Sequence, residues 1–329
     1  MDNIIFQIIL LVAGFIFLIK GADWLVSGAS SIASNFKVSK QLIGLTIVAI
    51  GTGAPELAVS ISSLISGNTD MLLGNVIGSN IINILLLIGV AAIINPIKIK
   101  RSTISKEIPL LLLISTALIV LVLDVNITGA DVNLISRSDA MICVLLFAIF
   151  IYYIINLVRK NRNAKKEVEK PKWKLGKSFL IVLVGLAGVV GGSQLVVSSA
   201  SFIASAIGIS DRIIALTVVA LGTSLPELVT TITAARRNEN ELLVGNIIGS
   251  NIFNICIVLG LPVAIFGAIT PESFDMLDII MLIGSAAVLW LVAMRGSHGK
   301  SGRIKRSEGF LMLIIFLLYY TYIICGALA

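Results

Sequence analysis

Two glutamates stand in stretches of this chain that are otherwise apolar. Glu56 closes GTGAPE at 51–56, and Glu227 closes GTSLPE at 222–227. Each directly follows a proline and lies four residues after a threonine, Thr52 or Thr223, a spacing that places both side chains on one face of a helix. A proline inside a helix removes the hydrogen bond to the carbonyl four residues earlier, so Pro55 releases Gly51 and Pro226 releases Gly222. Loosened backbone at membrane depth must face protein, water or an ion, which makes the carbonyls of Ala49 and Ala220 candidates to point inward. Each motif thus gathers a carboxylate, a hydroxyl and loose carbonyl oxygens.

A second pair of motifs follows, GNVIGSNIIN at 74–83 and GNIIGSNIFN at 245–254. Gly74 with Gly78, and Gly245 with Gly249, predict small surfaces against which another helix packs closely. Ser79 and Asn83 are four apart, as are Ser250 and Asn254, so each pair can face its own glutamate. The resulting set is almost wholly oxygen, with no paired histidine or cysteine. Hard donors of this kind suit calcium and sodium rather than soft transition metals. Two ionised glutamates are neutralised by one Ca2+. Left empty, like charges in a poorly solvated place favour the uptake of cations or protons. The neighbouring Asn75, Asn80, Asn246 and Asn251 are expected to bond broken backbone.

The elements that hold these residues are membrane spans. Only 13% of the 329 residues are charged and 57% are hydrophobic, with mean hydropathy +1.04. Apolar runs long enough to cross a bilayer recur at about 4–34, 41–66, 71–94, 107–124, 139–158, 177–207, 212–235, 241–267, 275–294 and 309–327. The first run starts at Ile4 with no basic stretch before it, so a retained span is expected and not a cleaved leader. With the N-terminus outside, the inner segments 35–40, 95–106, 159–177, 236–240 and 295–308 hold 2, 4, 9, 2 and 5 of the Lys and Arg, 22 of the chain's 25. Arg137 and Arg212 fall outside, and Lys20 lies within span 1. Asp124, Asp131, Asp139, Glu272, Asp275 and Asp278 sit on the outer side. The net charge of +7 therefore reports orientation, not nucleic-acid binding. Cys143, Cys256 and Cys325 read as small apolar residues, and His298 as a solvated loop residue.

All matched motif positions are displaced by 171, with 10 of 16 residues identical between 42–57 and 213–228 and 10 of 13 between 72–84 and 243–255. The expected fold class is an all-α membrane protein of ten transmembrane helices, arranged as two inverted five-helix repeats with both termini outside. Residues 1–158 form the first repeat, 159–177 a basic cytoplasmic linker and 178–329 the second repeat. Five spans per half oblige the second half to enter the bilayer in the opposite sense, an arrangement that transporters favour.

The GTxxPE and GNxxGSN motifs, present in both halves, resemble the alpha-repeats of the calcium/cation antiporter superfamily, with the sodium/calcium exchanger branch most similar. The resemblance implies an antiporter that moves calcium against sodium, with helices 2, 3, 7 and 8 enclosing the ions. It places central calcium ligands on Glu56, Glu227, Thr52 and Thr223, and flanking sodium sites on Ala49, Ser79, Ala220, Ser224 and Ser250. Asn83 and Asn254 are the remaining central polar pair. Two departures stand out. Gly53 occupies the place of Ser224 in the first repeat, and Asn254 stands where some microbial members have aspartate.

The expected function is exchange of Ca2+ for Na+ by alternating access in the cell membrane, with proton-coupled exchange and a cation channel as alternatives. No enzyme is expected, since no Ser–His pair or aspartate dyad lies at membrane depth. Nor is any cofactor expected beyond the transported ions. The expected partners are membrane lipid and the transported cations, without nucleic acid. Both halves of the site lie in one chain, which predicts a functional monomer. Lys20 and Asp23, three apart in the first span, are expected to pair with each other.

Overall fold

The computed structural model describes residues 2–129, 131–162, 170–207, 220–270, 276–295 and 301–328. The long apolar runs form helices: α1 (Asp2–Phe36), α2 (Lys40–Thr52), α3 (Ala54–Ile65), α4 (Thr69–Ile94), α5 (Thr103–Val122), α6 (Arg137–Arg162) and α7 (Leu175–Ala206). After a short turn at Ala220–Gly222 come α8 (Leu225–Arg236), α9 (Asn240–Phe266), α10 (Met276–Arg295) and α11 (Arg306–Leu328). Among the described residues eight helices are long and apolar enough to cross a membrane, and the bent pair α2–α3 makes a ninth. The expected span at 212–235 begins outside the described residues, as do Arg212, Glu272, Asp275, His298 and the middle of the linker.

The protein is mostly helical, as expected, with one addition. Strands β1 (Ile97–Lys100) and β2 (Ser301–Ile304) pair antiparallel, and a single bridge joins Ile135 to Ile269. Both β1 and β2 lie in segments assigned to the basic side. Each of these contacts joins one half of the chain to the other.

α4 and α9 form the centre, with 72% and 94% of their apolar stretches buried, against 17% for α1. They run antiparallel. Lys100, just past the end of α4, pairs with Glu241 at the start of α9 at 2.6 Å, while Thr69 at the start of α4 donates to the Thr270 carbonyl beyond the end of α9. The outer helices α1, α6, α7 and α11 turn Ile, Leu and Phe side chains outward. An exposed apolar belt of that extent suits lipid, not water.

The outer pair α1–α7 is also antiparallel and is held by glycines. A Cβ on Gly14 would meet the Gly192 carbonyl oxygen at 3.0 Å, and one on Gly21 the Gly185 carbonyl oxygen at 2.8 Å. Gly185 and Gly192 lie 171 residues after Gly14 and Gly21, so the contact is reciprocal. Bare backbone lets the helices approach this closely. The expected pairing of Asp23 with Lys20 is not formed. Asp23 Oδ1 instead accepts from Arg237 Nη2 at 2.8 Å, joining α1 to the turn after α8. A guanidinium offered from another helix wins over the neighbour in sequence.

Gly21→Ala drives a methyl into backbone and is expected to cost about 1–3 kcal/mol of stability in detergent. Gly191→Ala, with no described atom within 4 Å, is expected to be neutral or slightly stabilising. Equal unfolding midpoints for the two variants would refute the close-packed α1–α7 contact.

Candidate ion-binding site

The site is built at two helix breaks. α2 and α3 meet at a bend of 42° around Gly53, and Pro55 falls in the first turn of α3, where its missing N–H costs no helical bond. Pro226 occupies the same place in α8. The breaks put Glu56 and Glu227 in the first turns of α3 and α8. Free amides and the positive end of the helix dipole favour a negative group there. This is how the fold tolerates an acid at membrane depth.

Both glutamates are buried, and their carboxyl groups lie near enough to repel each other. The Thr52 hydroxyl, from the first half, lies within interaction range of the Glu227 carboxyl from the second, although outside standard hydrogen-bond geometry. Asn83 Nδ2 donates to Asn251 Oδ1 at 3.1 Å, again between halves. The same motifs carry buried oxygens with no hydrogen-bond partner among the described residues. They comprise Thr52 Oγ1, Glu56 Oε2, Asn83 Oδ1, Ser224 Oγ, Glu227 Oε2, Ser250 Oγ and Asn254 Oδ1. Buried polar atoms are ordinarily satisfied, so seven such oxygens drawn from one motif set make these residues candidates to hold a ligand. Ser224 begins α8, yet its hydroxyl does not cap the helix.

The remaining expected residues fall as follows. Ser79 is buried and shares a cavity of about 400 Å³ with the half-buried Thr223; Asp278 and Tyr319 also line that cavity. Ala49 is buried, and its carbonyl accepts the Gly53 N–H at 3.0 Å. That carbonyl is therefore only half free, because the helix closes one more turn before it breaks. The Ala220 backbone begins the turn before α8, and its side chain lies outside the described residues. Asn83 lies within a π-helical turn at Ile82–Leu87, and Asn254 opens another at Asn254–Leu259. Such widened turns recur at functional sites.

Several neighbours differ from expectation. Asn75 bonds the Glu56 backbone carbonyl, as expected, and also Ser60. Asn80 bonds the Val76 carbonyl of its own helix. Asn251, expected to bond backbone, holds Asn83 instead, while neither polar atom of the Asn246 side chain has a partner among the described residues. Gly245 and Gly249 pack against Gln41 and Leu45 backbone as small surfaces should, but no described atom comes within 4 Å of a Cβ on Gly74 or Gly78. Residues 212 and 216, which match Gln41 and Leu45 in the duplication, lie outside the described residues.

Two contacts were not read from the sequence. The Gly222 carbonyl released by Pro226 accepts Ser193 Oγ at 2.8 Å. The first half has Ala22 at the matching place, a mismatch that signalled the serine's role. Gly53 also has a physical reason. A Cβ there would come within 3.0 Å of the Phe253 ring and 3.1 Å of the Ala49 carbonyl oxygen. Phe253, which replaces the Ile82 of the first repeat, takes the room that a hydroxyl-bearing residue would need. A further buried acid, Glu107, accepts a hydrogen bond from the Tyr153 hydroxyl.

The chain is similar along most of its length to known membrane proteins. A family profile described as "Sodium/calcium exchanger protein" matches residues 6–156 and 177–325. The putative antiporter CaxA of Alkalimonas amylolytica is 37% identical over 316 residues, covering 94% of this chain and 96% of the relative. The sodium/calcium exchanger MaX1 of Methanosarcina acetivorans is 30% identical over 342 residues, covering 94% and 96%. A solved structure of the sodium-calcium exchanger NCX_Mj superposes with TM-score 0.81 at 33% identity, covering 96% of this chain and 97% of that one. Helical spans, duplicated acid motifs and these matches lead to one assignment: the chain is a multi-pass membrane protein of the sodium/calcium exchanger family, and its activity is cation antiport.

Proposed function

We propose that the protein exchanges Ca2+ for Na+ through one site shared by two inverted five-helix repeats. Residues 1–158 and 178–329 form the repeats, 159–177 joins them on the cytoplasmic side, and ten spans leave both termini outside. Glu56, Glu227, Thr52 and Thr223 hold Ca2+. Ser79, Ser224, Ser250 and the carbonyls of Ala49 and Ala220 hold Na+, and Asn83 and Asn254 complete the cage. The chain works as a monomer in lipid and needs no cofactor.

The observation that supports this reading is a pair of buried carboxylates, one from each half, near enough to repel each other, in motifs that also carry buried oxygens without a partner among the described residues. Satisfying these groups calls for positive charge. An unpaired acid at the bilayer centre costs about 2.5–3.5 kcal/mol, so an empty, doubly charged carrier resists reorientation and leaks little. A filled carrier moves, and the occupant on one face is traded for an occupant on the other.

Sodium is favoured over protons by the neutral donors. A proton bound to a carboxylate offers one hydrogen-bond donor, and two protons leave most of the surrounding oxygens without one. A bare Na+ draws in several at once. The same coupling is named in MaX1 and NCX_Mj. The missing hydroxyl at Gly53 weakens one flank of the site and keeps proton coupling as the second reading.

Glu56→Gln and Glu227→Gln are each expected to weaken Ca2+ binding by about 10–100-fold, the worth of one charged ligand, while melting stays near that of the parent. Preserved calcium exchange in either variant would exclude the paired-acid site. In proteoliposomes, calcium uptake should follow an imposed Na+ gradient at fixed pH and ignore a pH gradient at fixed Na+. The reverse pattern would establish proton coupling, and flux with neither gradient would indicate a channel.

A further inference from the structure

The duplicated asparagines Asn75 and Asn246 behave differently in the two halves. In the first half Asn75 Nδ2, on α4, donates to the Glu56 carbonyl and to Ser60 Oγ of α3, both at 3.1 Å. The two acceptors are four residues apart on one helix face, so a single amide ties the Glu56 end of α3 to α4. The same three residues return 171 positions later as Asn246 on α9 and Glu227 and Thr231 on α8. All three are buried. Yet neither polar atom of the Asn246 side chain, nor Thr231 Oγ1, has a hydrogen-bond partner among the described residues. The second break is held from a different side, where the Gly222 carbonyl accepts Ser193 Oγ of α7 at 2.8 Å.

Packing alone does not account for this asymmetry. A buried amide and a buried hydroxyl are each unfavourable when unpaired, and apolar side chains of the same shape would suit the observed arrangement better. The second half nevertheless carries an amide and a hydroxyl at the positions that close the contact in the first. Groups that weaken one arrangement and complete another belong to an element with two arrangements.

We infer that Asn75 and Asn246 are positioning residues that engage in turn. In the state seen here Asn75 holds the Glu56 helix against α4, and Asn246 stands disengaged. In the opposite state Asn246 holds the Glu227 helix against α9, through Thr231 and the Glu227 carbonyl, and the Asn75 contact opens. Each asparagine acts on the ion through the place it gives its glutamate. The inference rests on the exchange reading only in requiring two states of the carrier, and not on which cation is coupled to calcium.

The test sets stability against transport in full-length variants. Asn246→Leu and Thr231→Val each remove a group that this state leaves unpaired, so each should raise the melting midpoint in detergent by about 2–4 °C. Each should also slow calcium exchange in proteoliposomes about tenfold, the effect of losing one hydrogen bond from the opposite state. Exchange is measured under whichever ion gradient drives the parent. Thr231→Ser, which keeps a hydroxyl and matches Ser60, should restore the parent's rate. Asn75→Leu leaves Ser60 Oγ without its donor and should lower the midpoint instead. A group that only supports the fold would not give higher stability together with slower exchange. A parental exchange rate in folded Asn246→Leu or Thr231→Val would overturn the inference, as would a Thr231→Val midpoint below that of the parent. Melting is read without any ion gradient, so its outcome is separate from that of the exchange reading.

Discussion

Two carboxylates held close together inside an apolar body repel each other and lack the water that would screen them. Much of this fold can be read as the means of tolerating that arrangement. Helix breaks at Gly53 and before Leu225 place each acid in a first turn, where unbonded amides partly offset its charge. The offset leaves Glu56 Oε2 and Glu227 Oε2 without a hydrogen-bond partner among the described residues, and on the proposed reading a cation completes it. A site that fully satisfied its acids with fixed protein groups would have no use for an ion.

The duplication supplies two acids from one repeated motif, and packing of the two halves against each other brings them together. Antiparallel α4 and α9 and the reciprocal glycine contacts of α1 with α7 bring like surfaces of the halves face to face. Those contacts use bare backbone and few long side chains. In lipid, where apolar side chains gain little by leaving one another, close backbone approach is a principal source of helix association.

Symmetry is nevertheless broken where the two halves need different chemistry. Phe253 stands where the first repeat has Ile82, and its ring leaves no room for a side chain at Gly53, the counterpart of Ser224. Ser193 catches the carbonyl freed by Pro226, while the first half has Ala22 in its place. The acids, the threonines and the asparagines were legible in the sequence because each motif is written twice at a fixed offset. The partners were not. That Asn251 holds Asn83, or that Asp23 reaches Arg237, depends on which helices meet, and spacing within one helix is silent about that. The β1–β2 pair was equally hidden, since IKIK and SGRI are four residues each and lie about two hundred residues apart.

The central claim is that calcium and sodium compete for one cage containing both glutamates. Equilibrium calcium binding to the purified protein, measured by calorimetry at a series of Na+ concentrations, tests it most directly. The account predicts one Ca2+ per chain and an apparent affinity that falls more steeply than the first power of Na+. Calcium binding at full affinity while sodium is also bound would contradict it.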